Sequence, residues 1–332
     1  MSWRSTSLLV AVLVATSVAC NDSSPAGPGP SSITVGPGTS VTKIQDAVDS
    51  APAGATISVL PGTYGEHVVI SKSLTLQGQQ AVLDGLAGGL DGRFVGFEVK
   101  ANSVEISGFI VQNFERGIVV DHVSSFRLRN SEIRNNLSKD PPPISAGVTK
   151  SDGVVMFQVQ DSEVSGNYIH DNGSYGLLLT LSSGGNVVRN NRVINNGSQQ
   201  GLPGSGFSGG GIFTSAGNNT RNQILDNEVS GGYWGISLSS SPDTANVVRN
   251  NRVHGTQRAG ISVWGQRNTI EDNDATGNGL ANMTPSCRLD MMDFDVIDNT
   301  WTNNAGTLGT SVRSLPQDVC PNPVSVSRPV SY

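Results

Sequence analysis

The sequence predicts an all-β solenoid, a parallel β-helix whose N-terminal end is closed by a short helix. Three observations predict it. An Asn-x-apolar phrase recurs through Asn167–Val263, and aligning it on Asn167, Asn191, Asn227, Asn251 and Asn273 gives intervals of 24, 36, 24 and 22 residues. Weaker units at Gly108 and Asn130 extend it upstream, with 37 residues from Asn130 to Asn167. A base period of this size, sometimes lengthened by a dozen residues, belongs to stacked coils rather than to a globular core. Composition agrees: 40 Gly and 28 Asn against 14% charged residues suit many tight bends. Finally, the apolar runs are short and alternating, the length of one face of a coil.

Taken in order, Met1–Cys20 reads as a targeting segment, with Arg4 before the apolar run Leu8–Val14 and small residues ahead of Cys20. Two readings of Cys20 stand: the lipidated first residue of a bacterial lipoprotein, or ordinary cleavage near Ala19. Residues 21–39 are rich in Pro, Gly and Ser, a tether that would hold an exported domain off a membrane. The solenoid with its caps is expected over 40–322, and 323–332 reads as a frayed tail. Thr42 is placed to cap a helix, KIQDAVDSA, with Ile44, Ala47 and Val48 on one side. Short strands follow at Thr56–Leu60, His67–Ile70 and Leu74–Gln77, and from Phe94 onward the coils continue with Val104, Ile106, Ile110, Ile118, Val119 and Leu128 as interior residues.

The recurring Asn reads as structural, an amide that pairs along a stack of bends and tolerates left-handed backbone. Gly176, Gly211, Gly235 and Gly260 precede the apolar strands in the same phase. Two rungs are lengthened after that phase, at 137–152 and 197–210, which places both insertions on one edge of the solenoid. Past Gly279 the repeat fades into a terminal cap, with Met291, Met292, Phe294 and Val296 over the apolar end. Cys287 and Cys320, the two cysteines left if Cys20 is lipidated, suggest a disulfide in an exported chain. The formal charge of -6 and the dispersed basic residues argue against a nucleic-acid partner.

At the level of whole phrases, PGTY and SLTLQG resemble the opening coils of secreted right-handed parallel β-helix proteins. NVVRNNRV, GNYIHDN and GIxL resemble the repeats of the pectate-lyase-like superfamily, including NosD-like periplasmic proteins. The resemblance covers residues 40–320 and implies a single-stranded right-handed parallel β-helix. It implies no one activity, since that superfamily holds lyases, hydrolases, epimerases, esterases and members without chemistry. Only four His and no His/Met cluster argue against a direct copper role.

A lyase acting on a uronic acid needs a base and a group to neutralise the carboxylate. His170, Lys150 and Asp171 are the catalytic candidates, beside Lys139, Asp140 and Asp152. His254 shares the phase of His170 but lies three rungs away, about 14 Å, with Ile194 and Ser230 between them. Carboxylates for a hydrolase are scattered, and Asp226 and Asp272 read as bend residues. Asp290, Asp293, Asp295 and Asp298 form an acidic run that suits calcium, although it lacks the spacing of a calcium hand. No cofactor is required. Tyr175, Phe207, Tyr233, Trp234 and Arg258, with Trp264, collect near the lengthened edge, either stacking on sugar rings or packing beneath the insertions. The expected protein is an exported, anchored single chain that binds carbohydrate or cell-envelope polysaccharide. The alternatives are a lyase, C5-epimerase or glycoside hydrolase working between the insertions, and a structural envelope protein.

Overall fold

The computed structural model describes residues 31–138, 151–197, 209–239, 243–280, 289–294, 298–310 and 323–325. Cys20, Lys150, Phe207, Cys287 and Cys320 lie outside the described residues, and so do the expected lipidation and disulfide. Among the described residues no helix is long and apolar enough to cross a membrane.

The chain winds into a parallel β-helix with three short strands per rung. A typical rung is Glu163–Ser165, Tyr168–His170 and Leu177–Thr180. These strands, called here the first, second and third faces, pair in parallel with Val187–Arg189, Arg192–Ile194 and Gly210–Ser215 of the next rung. Three-residue strands suffice because only the central side chain of each points inward. Val164, Val188, Ile224, Val248 and Ile270 stack inside the first face, and Ile169, Val193, Val229 and Val253 inside the second, all at 0% exposure. Third-face strands are longer and contribute two inward residues each, such as Leu177 and Leu179, then Ile236 and Leu238. β-Branched residues dominate because they fill a pleated, stacked interior with few rotamers to lose.

Asn columns hold the bends together. Asn227 Oδ1 accepts hydrogen bonds from the backbone N–H and the side-chain amide of Asn191, each 3.0 Å. Its own amide donates to Val188 O at 2.9 Å and to Asn251 Oδ1 at 3.0 Å. Every donor and acceptor of that buried amide is therefore used. The column runs through Asn167, Asn191, Asn227, Asn251 and Asn273 to Asn304. A second column joins Asn186, Asn222, Asn246, Asn268 and Asn299. Two details differ from the sequence reading. The upstream partner of Asn167 is Ser131, whose N–H it accepts at 3.0 Å, so the interval is 36 rather than 37 and Asn130 is not in the column. Left-handed backbone falls on the preceding residue, Asn130, Gly166, Asn190, Asp226, Asn250 or Asp272, and not on the ladder Asn. Bend and ladder are thus separate tasks on adjacent residues. The glycines opposite have a steric cause: a β-carbon at Gly235 would overlap the Gly260 carbonyl oxygen and Val253 Cγ1.

The ends also depart from expectation. Ser32–Val35, inside the stretch read as tether, is the first strand and pairs in parallel with Thr56–Val59. The helix Ile44–Ser50 buries Ile44, Ala47 and Val48 as expected, but Thr42 does not cap it. Glu66 does, its two carboxylate oxygens accepting the N–H groups of Ile44 and Gln45 at 2.9 Å each. At the far end the coil continues instead of fading. Met291–Asp293 pairs in parallel with Ala259–Val263 and with Thr307–Thr310, and Thr300–Thr302 pairs with Thr269–Glu271. Met291 therefore joins the interior stack, while Met292 and Phe294 join a second cluster outside the third face. Val296 lies outside the described residues. Pro323–Ser325, expected as tail, pairs antiparallel with Thr307–Thr310.

Outside the first face, Glu163 is held between Arg129 at 2.6 Å and Arg189 at 2.7 Å. Burial pushes its carboxyl up, but hydrogen bonds from Arg189, Arg129 and Ser165 outweigh that and hold it below the ordinary range.

Asn227→Ala should lower stability by about 2–4 kcal/mol, because it strands the Asn191 amide and the Val188 carbonyl in a buried bend. Asn218→Ala, at an exposed turn, should stay within about 0.5 kcal/mol. Urea midpoints of the two variants measure the difference. Glu163 has a lowered folded value, so its stabilisation is present above the unfolded glutamate value of about 4.3 and is lost as pH falls through the folded one. The gap in urea midpoint between wild type and Glu163→Gln should therefore be widest near pH 7 and shrink steadily below about pH 4.

Candidate functional site

The bend between the second and third faces varies in length, and most of the described candidate residues gather there. Asn136, Asn172 and Asn196 stack in one column at its start, Nδ2 to Oδ1 at 2.9 Å in each step. Both insertions leave this column. One begins beside Ser138, whose N–H meets Ser151 Oγ at 2.8 Å; the other begins at Gly197, packed against Gly209. The 172–176 bend lies between their roots, as the phase argument expected. The same edge also carries a third long bend, 85–94, joining Thr75–Asp84 to Val95–Val99. The repeat phrase does not reach this stretch. Its signal was compositional, with Gly88, Gly89 and Gly92 all in left-handed geometry.

His170 and Asp171 stand at the second-face side of this bend. His170 Nδ1 is 2.6 Å from Asp171 Oδ2, and Nε2 is 3.1 Å from Glu132 Oε1. Tyr168 stacks on the imidazole at 3.9 Å, and the Arg192 guanidinium lies 4.7 Å from the Tyr168 ring centre. Glu132 also receives Arg134 at 2.7 Å, and Arg134 Nε donates to Gln112 at 2.9 Å. Gln112 in turn donates to Asp84 at 2.9 Å. A continuous polar lane thus runs from Asp84 to Asp171 across successive rungs. Register pairs His170 with Ile194, Ile194 with Ser230, and Ser230 with His254, so the two histidines are three rungs apart. Glu132 and Arg134, which the sequence reading did not single out, are the groups that touch or flank His170. Their separation from it by 38 and 36 residues spans a lengthened rung, which hid the adjacency.

The aromatic candidates divide by burial. Tyr175 and Trp234, at 7% and 9% exposure, belong to a second apolar cluster outside the third face, with Val155, Leu178 and Phe213. Tyr175 stacks on Phe213 at 4.5 Å. Burial, aided by the nearby Asp152 charge, pushes the Tyr175 phenol far up. Asp152 is itself fully buried, accepting the Tyr175 N–H at 3.1 Å and lying 3.5 Å from Arg116 Nε. Tyr175 and Trp234 are therefore packing groups at this bend, not open platforms. Tyr233 and Arg258 remain half-exposed beside them, whereas Trp264, expected at this edge, follows the strand Ala259–Val263 and so lies at the far end of the third face. The Arg258 guanidinium lies 5.0 Å from the Trp234 ring centre and reaches the Tyr233 hydroxyl at 3.4 Å. Trp264 stacks on Phe294 at 3.7 Å.

Of the terminal acidic residues, Asp290 and Asp293 are engaged by the fold, while Asp298 is exposed at a left-handed bend. Asp290 accepts the N–H groups of Asn278 and Thr307 at 2.8 and 2.9 Å, and Asp293 accepts Trp301 Nε1 at 2.8 Å. Asp295 lies outside the described residues. Among the described residues no three His, Cys, Asp or Glu side chains gather to hold a metal ion.

A cell surface glycoprotein of Methanothermus fervidus is 25% identical over 272 residues, 81% of this chain and 39% of that protein. The chain spans about two fifths of the length of that relative. Among solved structures, the Dettilon tailspike protein superposes with a TM-score of 0.55 at 14% identity, over 80% of this chain and 57% of its own. A Geobacillus virus E2 protein, ORF18, superposes at 0.54 with 16% identity, over 84% and 61%. At these identities the likeness is one of fold. Residues 95–278 match the family described as the right handed beta helix region, more than half of the chain. The parallel rungs, the Asn columns and that match together make this chain a member of the right-handed β-helix family.

Proposed function

We propose that the protein binds an extended polysaccharide along the edge where the second face meets the third. The observation that carries this is half-exposed Tyr233 and Arg258 on the third-face side of that edge, two and three rungs along from the polar lane Glu132–Arg134–His170–Asp171 on its second-face side. Sugar rings have apolar faces and hydroxylated rims, which suits aromatic surface beside charged hydrogen-bonding groups. A solenoid also offers such groups at a repeat of about 4.8 Å, so a repeating polymer can meet similar chemistry on each rung. The similarity to a cell surface glycoprotein accords with an exterior location. Export, with anchoring through Cys20, is part of the same proposal. The binding reading requires no cofactor; calcium at the acidic terminal strand is a separate proposal.

A second reading, a lyase, C5-epimerase or glycoside hydrolase, is favoured by one observation: His170 sits between two carboxylates, with Arg134 on one of them. Such a group can carry a proton next to a cation that would neutralise a uronate.

Retention on immobilised polygalacturonate, alginate and xylan, with and without calcium or chelator, separates these readings. Binding predicts retention on at least one polymer without new reducing or unsaturated ends. The double variant Tyr233→Ala, Arg258→Ala should then bind roughly tenfold more weakly, about 1.4 kcal/mol. No retention on any polymer would sink the binding reading. Product formed by wild type and lost in His170→Ala would establish the enzyme in its place.

A further inference from the structure

The aromatic surface outside the described bend cluster is most exposed at Phe94, 46% accessible, in the long bend 85–94. Its ring lies 6.2 Å from that of His67 at an interplanar angle of 22°, a stacked arrangement that presents the ring toward solvent. His67 Nε2 is 3.3 Å from Glu98, and Glu98 pairs with Lys100 at 2.8 Å. Arg93, beside it, pairs with Asp91 at 3.1 Å. The platform is thus one aromatic face framed by charged groups. It belongs to the same edge as the site above: the Phe94 carbonyl accepts the Glu115 N–H at 3.0 Å, and Glu115 reaches Ser138 at the root of the first insertion at 3.4 Å.

Along the third face, the strand after Phe94 is five pairings from the strand that begins at Trp234. At the usual strand spacing this is roughly 24 Å. We infer that Phe94 is a distal stacking subsite, so that the site takes a carbohydrate oligomer long enough to reach from Tyr233 to Phe94 and discriminates by chain length. This inference rests on the polysaccharide reading. A protein partner fits this edge less well, because interface centres are contiguous and depleted of charge. Here the exposed apolar groups Leu86, Phe94 and Leu137 are interrupted by Glu115, Arg93 and Asp91. An amphipathic ring with an apolar face and a hydroxylated rim meets that alternation at each point.

The test uses the full chain and size-fractionated oligosaccharides of whichever polymer the wild type retains, compared by calorimetry as disaccharides and as oligomers of eight sugars. Phe94→Ala should weaken the long oligomer roughly five- to tenfold and leave the disaccharide within about twofold, whereas Phe94→Trp should restore long-oligomer binding. An unchanged urea midpoint for Phe94→Ala would show that an exposed ring was removed without disturbing the coil. If wild type and Phe94→Ala bind the long oligomer equally, the distal subsite is refuted while the polysaccharide reading stands. Equal weakening of disaccharide and long oligomer refutes it too, since length discrimination is then absent. If the wild type retains no polymer, the polysaccharide reading fails first and this inference with it.

Discussion

A buried amide that uses all its hydrogen-bonding capacity between two neighbours is the interaction on which this structure depends. A bend is where a β-coil must turn its backbone away from the ladder, leaving N–H and C=O groups buried without strand partners. Each column Asn answers this by accepting the N–H of the rung behind and donating to a carbonyl across the bend. Because the same side chain also bonds to the next Asn, one rung's bend fixes the position of the following one. Substituents at column ends show the same requirement met by other groups, Ser131 at one end and Asp290 beyond Asn278 at another.

Bends of fixed geometry free the remaining bend to vary. The turn between first and second faces is set by a left-handed residue followed by Asn, rung after rung. The bend between second and third faces carries its column only at its start, so chain can be added after Asn136 and Asn196 without disturbing the strands that follow. Length variation therefore concentrates on one edge. Stability in such a stack is local, shared between each rung and its neighbours.

The third face adds a second constraint. Its strands bury residues on both sides, interior Leu177 and Leu179 and exterior Leu178, with Phe213 beside it in the next rung. Aromatic rings at the bend are drawn into that exterior cluster when their strand position places them over it, as with Tyr175 and Trp234. A residue one position earlier, Tyr233, is only partly buried against that cluster. The difference between a ring buried in the cluster and one only partly buried against it is thus a single step along the chain.

The sequence by itself determined the solenoid, its rung length, the inward residues, the structural Asn column and the common edge of the insertions. Each follows from a local period that every rung repeats, so a few aligned phrases contain the information. It also determined that His170 and His254 are three rungs apart, because register in a stack is simply counted. Only the tertiary structure decided that Glu66 caps the helix, that Glu132 meets His170, and that Tyr175 and Trp234 are buried while Tyr233 is not. Those facts depend on contacts between different rungs or on both sides of one strand, where period alone gives no neighbour. Lengthened rungs shift the sequence distance between touching residues from 24 to 36, and the touching pair becomes visible only when the coils are stacked.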